Sequence, residues 1–198
     1  MRKTLAHLKK DPVLRKVIEK IGKPDFVSSH ADENLYVSIV ENIIGQQLSS
    51  GPANMITERF WNLFEIKYPT PDEVLRLPDK ELRAVGMSWA KASYIKNLSR
   101  EISEGRLNLE RIKTLGDEEV IEELVKVKGI GRWTAEMILM FHLDRPDVFS
   151  LGDLGLRTAV SRLYGVDRAD SKKIEKISIS WKPYRTLASR YLWRSLGE

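Results

Sequence analysis

Apolar residues recur at every third or fourth position along most of the chain, in stretches separated by short polar or glycine- and proline-containing segments. This spacing is typical of amphipathic helices, and no stretch alternates apolar and polar residues for long, as a half-buried strand would. We therefore expect an all-α protein. The pattern predicts helices over residues 1–22 with a break at Asp11 and Pro12, and over 33–44, 52–64, 117–124, 132–143, 154–163 and 183–196.

Two tight turns stand out between these predicted helices. The first is Val127-Lys-Gly-Ile-Gly131, where glycines accept the positive φ that a reversal needs and Ile130 would pack between the two helices. We interpret residues 124–135 as a helix-hairpin-helix. The second turn, around Gly86 between Leu82 and Ile95, faintly repeats this shape and is interpreted as a degenerate duplicate.

The main hairpin suggests chemistry. Backbone N–H groups at the start of its second helix lack helical partners and can bind a phosphate, with Lys126, Lys128 and Arg132 adding positive charge. A carboxylate that we expect to be exposed, Asp153, follows shortly afterwards. A phosphate site with an acid nearby predicts an enzyme that acts on nucleic acid.

Several motifs together resemble a known family. Residues 127–135 (Val-Lys-Gly-Ile-Gly-Arg-Trp-Thr-Ala), a proline- and glycine-containing loop and Asp153 resemble the helix-hairpin-helix, Gly/Pro-Asp signature of the DNA glycosylase superfamily. Residues 147–155 and 181–185 are similar to the 3-methyladenine DNA glycosylase II branch, the alkyl-base glycosylases, in a compact form without an N-terminal β-rich domain. The resemblance implies one domain over 1–198, with one helical subdomain at roughly 35–120, a second from 1–34 plus 121–198, and a cleft between them.

The same resemblance implies roles for an acid and two tryptophans. Asp153 would stabilise the positive charge that builds on the sugar as the glycosidic bond breaks, although an aspartate here can also simply cap the next helix. Trp133 and Trp181 would line the base pocket, where indole faces attract a cationic alkylated base. Trp133 also occupies the position at which strand-cutting glycosylases place a Schiff-base lysine, so no lyase activity is expected.

Other site residues follow from the resemblance alone. Gln46 would face the base pocket, and Met137 replaces a pocket tyrosine of the family. Gln47 and Leu48 are both candidates for the wedge that fills the gap left by a flipped nucleotide, and the register stays open.

At the hairpin, Thr134 would join the backbone N–H groups of Gly129 and Gly131 in gripping phosphate. A monovalent cation, Na⁺ or K⁺, is also held there in the family, through main-chain carbonyls that map to Val125, Val127 and Ile130.

Composition limits the alternatives. The chain has 198 residues, enough for a hydrophobic core, and 33 basic against 28 acidic residues give a net charge of +5 that suits a polyanionic partner. The absence of cysteine excludes disulfides, thiol catalysis and a cysteine-bound iron–sulfur cluster, and three scattered histidines make no metal-binding pattern. Without a signal peptide or a long apolar segment, we expect an intracellular monomer, in the cytoplasm and nucleoid or in a nucleus, with no membrane partner and no organic cofactor.

We therefore predict a monofunctional DNA glycosylase that flips alkylated purines (3-methyladenine, 7-methylguanine) out of duplex DNA and hydrolyses their bond to the sugar, leaving an abasic site. One alternative is a helix-hairpin-helix protein that binds DNA without cutting, which leaves Asp153 and the two tryptophans unexplained. Another is a glycosylase for oxidised or mismatched bases. Trp133 and the absence of cysteine argue against the commonest enzymes of that kind.

Overall fold

The computed structural model describes residues 2–22, 34–65 and 68–197, and within these ranges all regular structure is α-helical. This confirms the all-α prediction. The helices are α1 (Arg2–Leu8), α2 (Pro12–Ile21), α3 (Leu35–Gly45), α4 (Ser50–Trp61), α5 (Pro71–Arg76), α6 (Asp79–Ala84), α7 (Trp89–Ser103), α8 (Leu109–Thr114), α9 (Asp117–Val125), α10 (Arg132–Phe141), α11 (Leu154–Tyr164), α12 (Ser171–Ile179) and α13 (Arg185–Arg194). The predicted first residue of the third helix, Glu33, lies outside the described ranges.

Local signals in the sequence explain where many of these helices begin. Asp11 caps α2 by accepting the N–H groups of Val13 and Leu14, and Thr70 forms a reciprocal capping box with Glu73 at the start of α5. Both helices carry proline in the first turn, where its missing N–H has no cost. These capping residues and prolines determine where α2 and α5 begin.

The chain packs as two compact units, Met1–His30 with Asp144–Glu198, and Ala31–Leu143. In the first unit, α13 packs against α2 and α11 around a core that includes Leu14, Leu156 and the fully buried Trp181. Burial alone would raise the pKa of Asp11. Hydrogen bonds from its neighbours, among them the Trp181 indole and the Tyr164 hydroxyl, lower it instead.

The second unit is built around α3, which is buried along most of its length and packs against α4, α7 and α10. Both hairpins lie in this unit, the main one between α9 and α10 and the duplicate between α6 and α7. Because α10 packs on α3, the division between the units falls at 143–144, whereas the boundary expected from the sequence is near residue 120. None of the helices in the described ranges combines the length and apolar character needed to cross a bilayer.

Candidate active site

The main hairpin depends on a glycine that no other residue can replace without movement. The turn is closed by a 3.0 Å hydrogen bond from the Ile130 N–H to the Val127 carbonyl, and Ile130 is buried as predicted. Gly129 has φ +110°, and a Cβ added there would lie 2.2 Å from Cγ of Tyr94. The Tyr94 ring therefore packs directly on the backbone of the turn, which fixes its shape.

The N-terminus of α10 keeps donors available. Gly131 caps the helix without a side-chain hydrogen bond, and no acidic side chain stands in the first turn. Within the part of the chain that the structure describes, the N–H groups of Gly129, Gly131 and Arg132 meet no acceptor. Outward-pointing N–H groups at a helix start are suited to an anion such as a phosphate.

The charged side chains around the hairpin differ from one another. Arg132 is paired with Glu118 at 2.7 Å and with Glu136 at 3.1 Å, and the hydrogen bond to Glu118 is the main reason why the pKa of Arg132 is raised. A phosphate contact by Arg132 therefore competes with two carboxylates, and this assignment stays a prediction. Lys126 is likewise paired with Glu123 at 2.9 Å. Lys128 is exposed and forms no ion pair within the described residues.

The loop between α3 and α4 is tied to the hairpin through one side chain. Gln46 Nε2 donates to the Gly129 carbonyl at 3.0 Å and to Thr134 Oγ1 at 3.2 Å. Thr134 is only 3% exposed, and its hydroxyl accepts from Gln46. Its predicted part in gripping phosphate therefore falls to its backbone N–H and stays a prediction. Gln47 follows with φ +59°, which is unusual outside glycine, and both Gln47 and Leu48 are exposed.

A cavity of about 550 Å³, open to solvent, lies at this junction. It brings together Gln46 and Trp133, two of the residues predicted to line a base pocket, and Trp133 is 40% exposed. The remaining lining residues are Gln47, Tyr94, Gly129, Ile130, Gly131 and Thr134. The sequence analysis did not assign Tyr94 to the site. The signal available in the sequence was its position in the second helix of the duplicate hairpin. Its contact with Gly129 is visible only in the structure.

Met137 does not line this cavity. It is 5% exposed and lies in the buried stretch of α10 that runs from Thr134 to Met140. Its place at the wall of a base pocket stays a prediction.

Asp153 is the N-cap of α11, so the capping role considered in the sequence analysis is present. Its Oδ1 accepts the Leu156 N–H at 2.7 Å and the Trp193 indole N–H at 2.8 Å. Asp153 is 9% exposed, whereas an exposed carboxylate was expected. The side chain is folded onto the helix start, which gives it one defined orientation.

Trp193, not Trp181, is the tryptophan that contacts the predicted catalytic acid. Trp181 has no exposed surface and donates its indole N–H to Asp11, so its expected role as a pocket wall is corrected. In the sequence, Gly155 was the residue that could have indicated a large side chain packed against Asp153. A Cβ at Gly155 would lie 3.0 Å from Trp193 Cδ1 and 3.1 Å from Asp153 Oδ1, so a larger residue would crowd this contact.

No group of three or more histidine, cysteine or acidic side chains within the described ranges is placed to hold a metal ion. The candidate groups are therefore one fixed carboxylate in the first unit, and open backbone donors with an aromatic cavity in the second.

Comparison with known proteins identifies the family that this chain resembles. The family described as HhH-GPD superfamily base excision DNA repair protein matches residues 40–183. A Bacillus subtilis protein that is named provisionally as a DNA-3-methyladenine glycosylase is 39% identical over 83% of this chain, which spans 60% of that relative's length. The DNA-3-methyladenine glycosylase 1 of Schizosaccharomyces pombe is 32% identical over 91% of this chain and 81% of its own length.

Solved structures agree with this placement. The 3-methyladenine DNA glycosylase of Schizosaccharomyces pombe, solved in complex with abasic DNA, aligns over 99% of this chain and 97% of its own with a TM-score of 0.89 and 31% identity. A DNA-3-methyladenine glycosidase from Bacillus halodurans aligns with a TM-score of 0.81 and 36% identity over 96% of this chain and 87% of its own. The chain thus belongs to the HhH-GPD superfamily of base excision DNA repair proteins.

Proposed function

We propose that this protein is a monofunctional DNA glycosylase that hydrolyses the bond between an alkylated purine and its deoxyribose in duplex DNA. The observation that carries the proposal is the Asp153 carboxylate, which two N–H donors hold in one orientation at the start of α11. Relatives named as 3-methyladenine DNA glycosylases support the choice of substrate, and 3-methyladenine and 7-methylguanine are the lesions proposed. Such an enzyme acts where DNA is kept, inside the cell.

Asp153 would act on the sugar. As the glycosidic bond breaks, positive charge develops on the deoxyribose, and a carboxylate that is already oriented stabilises that charge without having to reorganise. The Leu156 N–H and the Trp193 indole supply this orientation through Oδ1. Trp193 is therefore proposed as a positioning residue for Asp153.

Trp133 would act on the base. A purine alkylated at a ring nitrogen is cationic, so it is attracted to an indole face by about 0.5–2 kcal/mol and leaves without a proton from the enzyme. Trp133 lines the cavity and is 40% exposed, so it is suited to this contact. Because it stands where strand-cutting relatives carry lysine, no Schiff base forms through this position and the product is an abasic site.

The hairpin and the preceding loop would hold the DNA. The open N–H groups at the start of α10 suit a backbone phosphate, with Lys128 as the nearby exposed cation. Leu48 is proposed as the wedge, because it is an apolar side chain with 38% exposure at the end of the turn that the Leu48 N–H closes on the Gly45 carbonyl. Gln47 instead lines the cavity.

A monovalent cation at the hairpin is compatible with the backbone. The carbonyls of Val125 and Ile130 accept no hydrogen bond from the described residues, while the Val127 carbonyl accepts the Ile130 N–H and keeps one lone pair. These three carbonyls would hold Na⁺ or K⁺. When bound, the cation supplies positive charge next to the phosphate.

The decisive experiment replaces Asp153 by asparagine. Asp153→Asn keeps the two hydrogen bonds to Oδ1 and removes the charge, so we expect base release from methylated DNA to fall by roughly 10²–10³-fold or more. Affinity for a duplex with an abasic-site analogue should remain. Released base is measured by chromatography, and abasic sites by alkaline cleavage.

Asp170→Asn is the matched control, because Asp170 also caps a helix, accepting the Lys173 N–H at 3.0 Å, and lies away from the proposed chemistry. Its activity should equal that of the wild type. Unchanged base release by Asp153→Asn would overturn the assignment of Asp153. A wild type that binds DNA but releases no base would favour a non-catalytic binding protein.

A further inference from the structure

The side-chain amide of Gln46 has only one orientation that its surroundings allow. Its neighbours are the Gly129 carbonyl at 3.0 Å and Thr134 Oγ1 at 3.2 Å. A backbone carbonyl can only accept a hydrogen bond, so the atom that faces Gly129 must be the NH₂ group. A flipped amide would place two carbonyl oxygens against each other.

This orientation determines what the amide offers to the cavity. Both N–H groups of Gln46 are used by Gly129 and Thr134, so only Oε1 remains. Oε1 accepts no hydrogen bond from any residue in the described ranges, although Gln46 lines the same cavity as Trp133 and Tyr94. The cavity therefore contains a hydrogen-bond acceptor that is held in place by the hairpin itself.

We propose that Gln46 Oε1 selects the base, accepting a hydrogen bond from an exocyclic amino group while the ring stacks on Trp133. The inference rests on the proposed glycosylase function and specifies its substrate. The donor is the 6-amino group of 3-methyladenine. 7-Methylguanine has an oxygen at C6 and its amino group at C2, so a guanine that presents the same edge places an oxygen against Oε1. A site built around one fixed polar atom discriminates against a base that leaves this atom unpaired.

The test uses one DNA substrate that carries both lesions. Duplex DNA treated with a methylating agent contains 3-methyladenine and 7-methylguanine, and chromatography measures the rate at which each base is released. Gln46→Met keeps the side-chain length but has no donor, and its sulfur is only a weak acceptor. We expect the ratio of 3-methyladenine to 7-methylguanine release to fall roughly tenfold, the loss of one hydrogen bond.

Thr134→Val is the matched control. It removes one hydrogen-bond partner of Gln46 Nε2 and so loosens the hairpin, but it leaves Gln46 Oε1 in the cavity. Thr134→Val should therefore slow the release of both bases by the same factor. The proposal is overturned if Gln46→Met leaves the ratio unchanged, or if both variants shift the ratio equally. In either case, base release by the wild type still upholds the glycosylase function. If the wild type releases neither base, the proposed function fails and this inference fails with it.

A second measurement needs only the wild type and so does not depend on how Gln46→Met folds. Free 3-methyladenine and free 3-methylhypoxanthine have nearly the same shape and differ in the 6-amino and 6-oxo groups. We expect 3-methyladenine to inhibit base release about tenfold more strongly. Equal inhibition by the two bases would overturn the proposal.

Discussion

The two hairpins of the second unit have nearly the same backbone and different chemistry. Gly86 and Gly129 begin the two turns with φ +107° and φ +110°. The residue that follows each glycine, Met87 in one and Ile130 in the other, is buried. These shared features agree with the interpretation of the α6–α7 hairpin as a degenerate duplicate, which stays a prediction.

The difference lies in the residue that caps the second helix. In the duplicate hairpin, Ser88 Oγ accepts the Lys91 N–H at 3.2 Å, so a side chain covers one N–H group of the helix start. In the main hairpin, Gly131 at the matching position has no side chain, and α10 begins without a side-chain cap. A single hydroxyl therefore leaves the duplicate with one fewer N–H group available for a ligand than the main hairpin.

Both hairpins also hold the same loop. At the third position of each second helix, Lys91 donates to the Ile44 carbonyl at 2.7 Å, and Thr134 accepts from Gln46. The end of α3 is thus fixed from both sides. We infer that the duplicate hairpin serves to support the loop, and that only the main hairpin binds DNA.

The largest effect should come from the two glycines that start the turns. In Gly129→Ala the new Cβ meets the Tyr94 ring at 2.2 Å, so a clash adds to the unfavourable φ, and we expect a loss of roughly 2–5 kcal/mol of unfolding free energy. In Gly86→Ala the nearest atom is Ile56 Cγ1 at 3.3 Å, on a flexible side chain, and a loss of roughly 1–3 kcal/mol is expected. Denaturant unfolding measures both.

Tyr94→Ala provides the control for this comparison. Truncating the ring should remove most of the additional cost of Gly129→Ala, so that in the Tyr94→Ala background the two glycine substitutions cost about the same. If Gly129→Ala remains far more costly without the ring, the packing of Tyr94 on the turn is not what distinguishes the two hairpins.

A smaller effect, on binding rather than on folding, should follow from giving the main hairpin the cap of its duplicate. Gly131 has φ −93°, and a Cβ added there would meet open space, so Gly131→Ser fits without strain. Its hydroxyl should take the Thr134 N–H, as Ser88 takes that of Lys91, and weaken DNA binding roughly tenfold while stability is kept. Fluorescence anisotropy with a labelled abasic duplex measures the affinity.

Gly131→Ala separates the hydroxyl from the added carbon. It places a Cβ at the same position but captures no N–H, so its affinity for DNA should stay close to that of the wild type. If serine and alanine at this position weaken binding equally, the N–H groups of α10 are not the phosphate site.

The sequence predicted the structure correctly where a residue type is favoured by one particular backbone conformation. Gly129 marked the hairpin because its positive φ favours glycine, and Asp153 marked a helix start because a cap needs a short acceptor. Gly131, expected to share the positive φ, has φ −93° instead. The apolar pattern of α10 likewise predicted a buried helix, and its residues from Thr134 to Met140 are buried.

The sequence was insufficient where a role depends on which surfaces meet. Trp181 precedes α13 and Trp193 lies near its end, and only the packing of α13 against α2 and α11 buries the first beside Asp11 and brings the second to Asp153. Arg132 is similar, since its pairing with Glu118 depends on how α9 and α10 lie against each other. Charge and aromatic character suggested candidates, and tertiary contacts decided among them.

The smallest predicted effect is the most direct test of the division between the two hairpins. Ser88→Ala removes the cap of α7 and should cost about 1 kcal/mol of unfolding free energy, the usual value for a lost N-cap. Its affinity for DNA should not change, because the N–H of Lys91 then turns to water and no phosphate lies there. If Ser88→Ala instead raises DNA affinity, the uncapped duplicate has gained a phosphate contact, and both hairpins lie against the DNA. If it lowers affinity while Gly131→Ser does not, the assignments of the two hairpins must be exchanged.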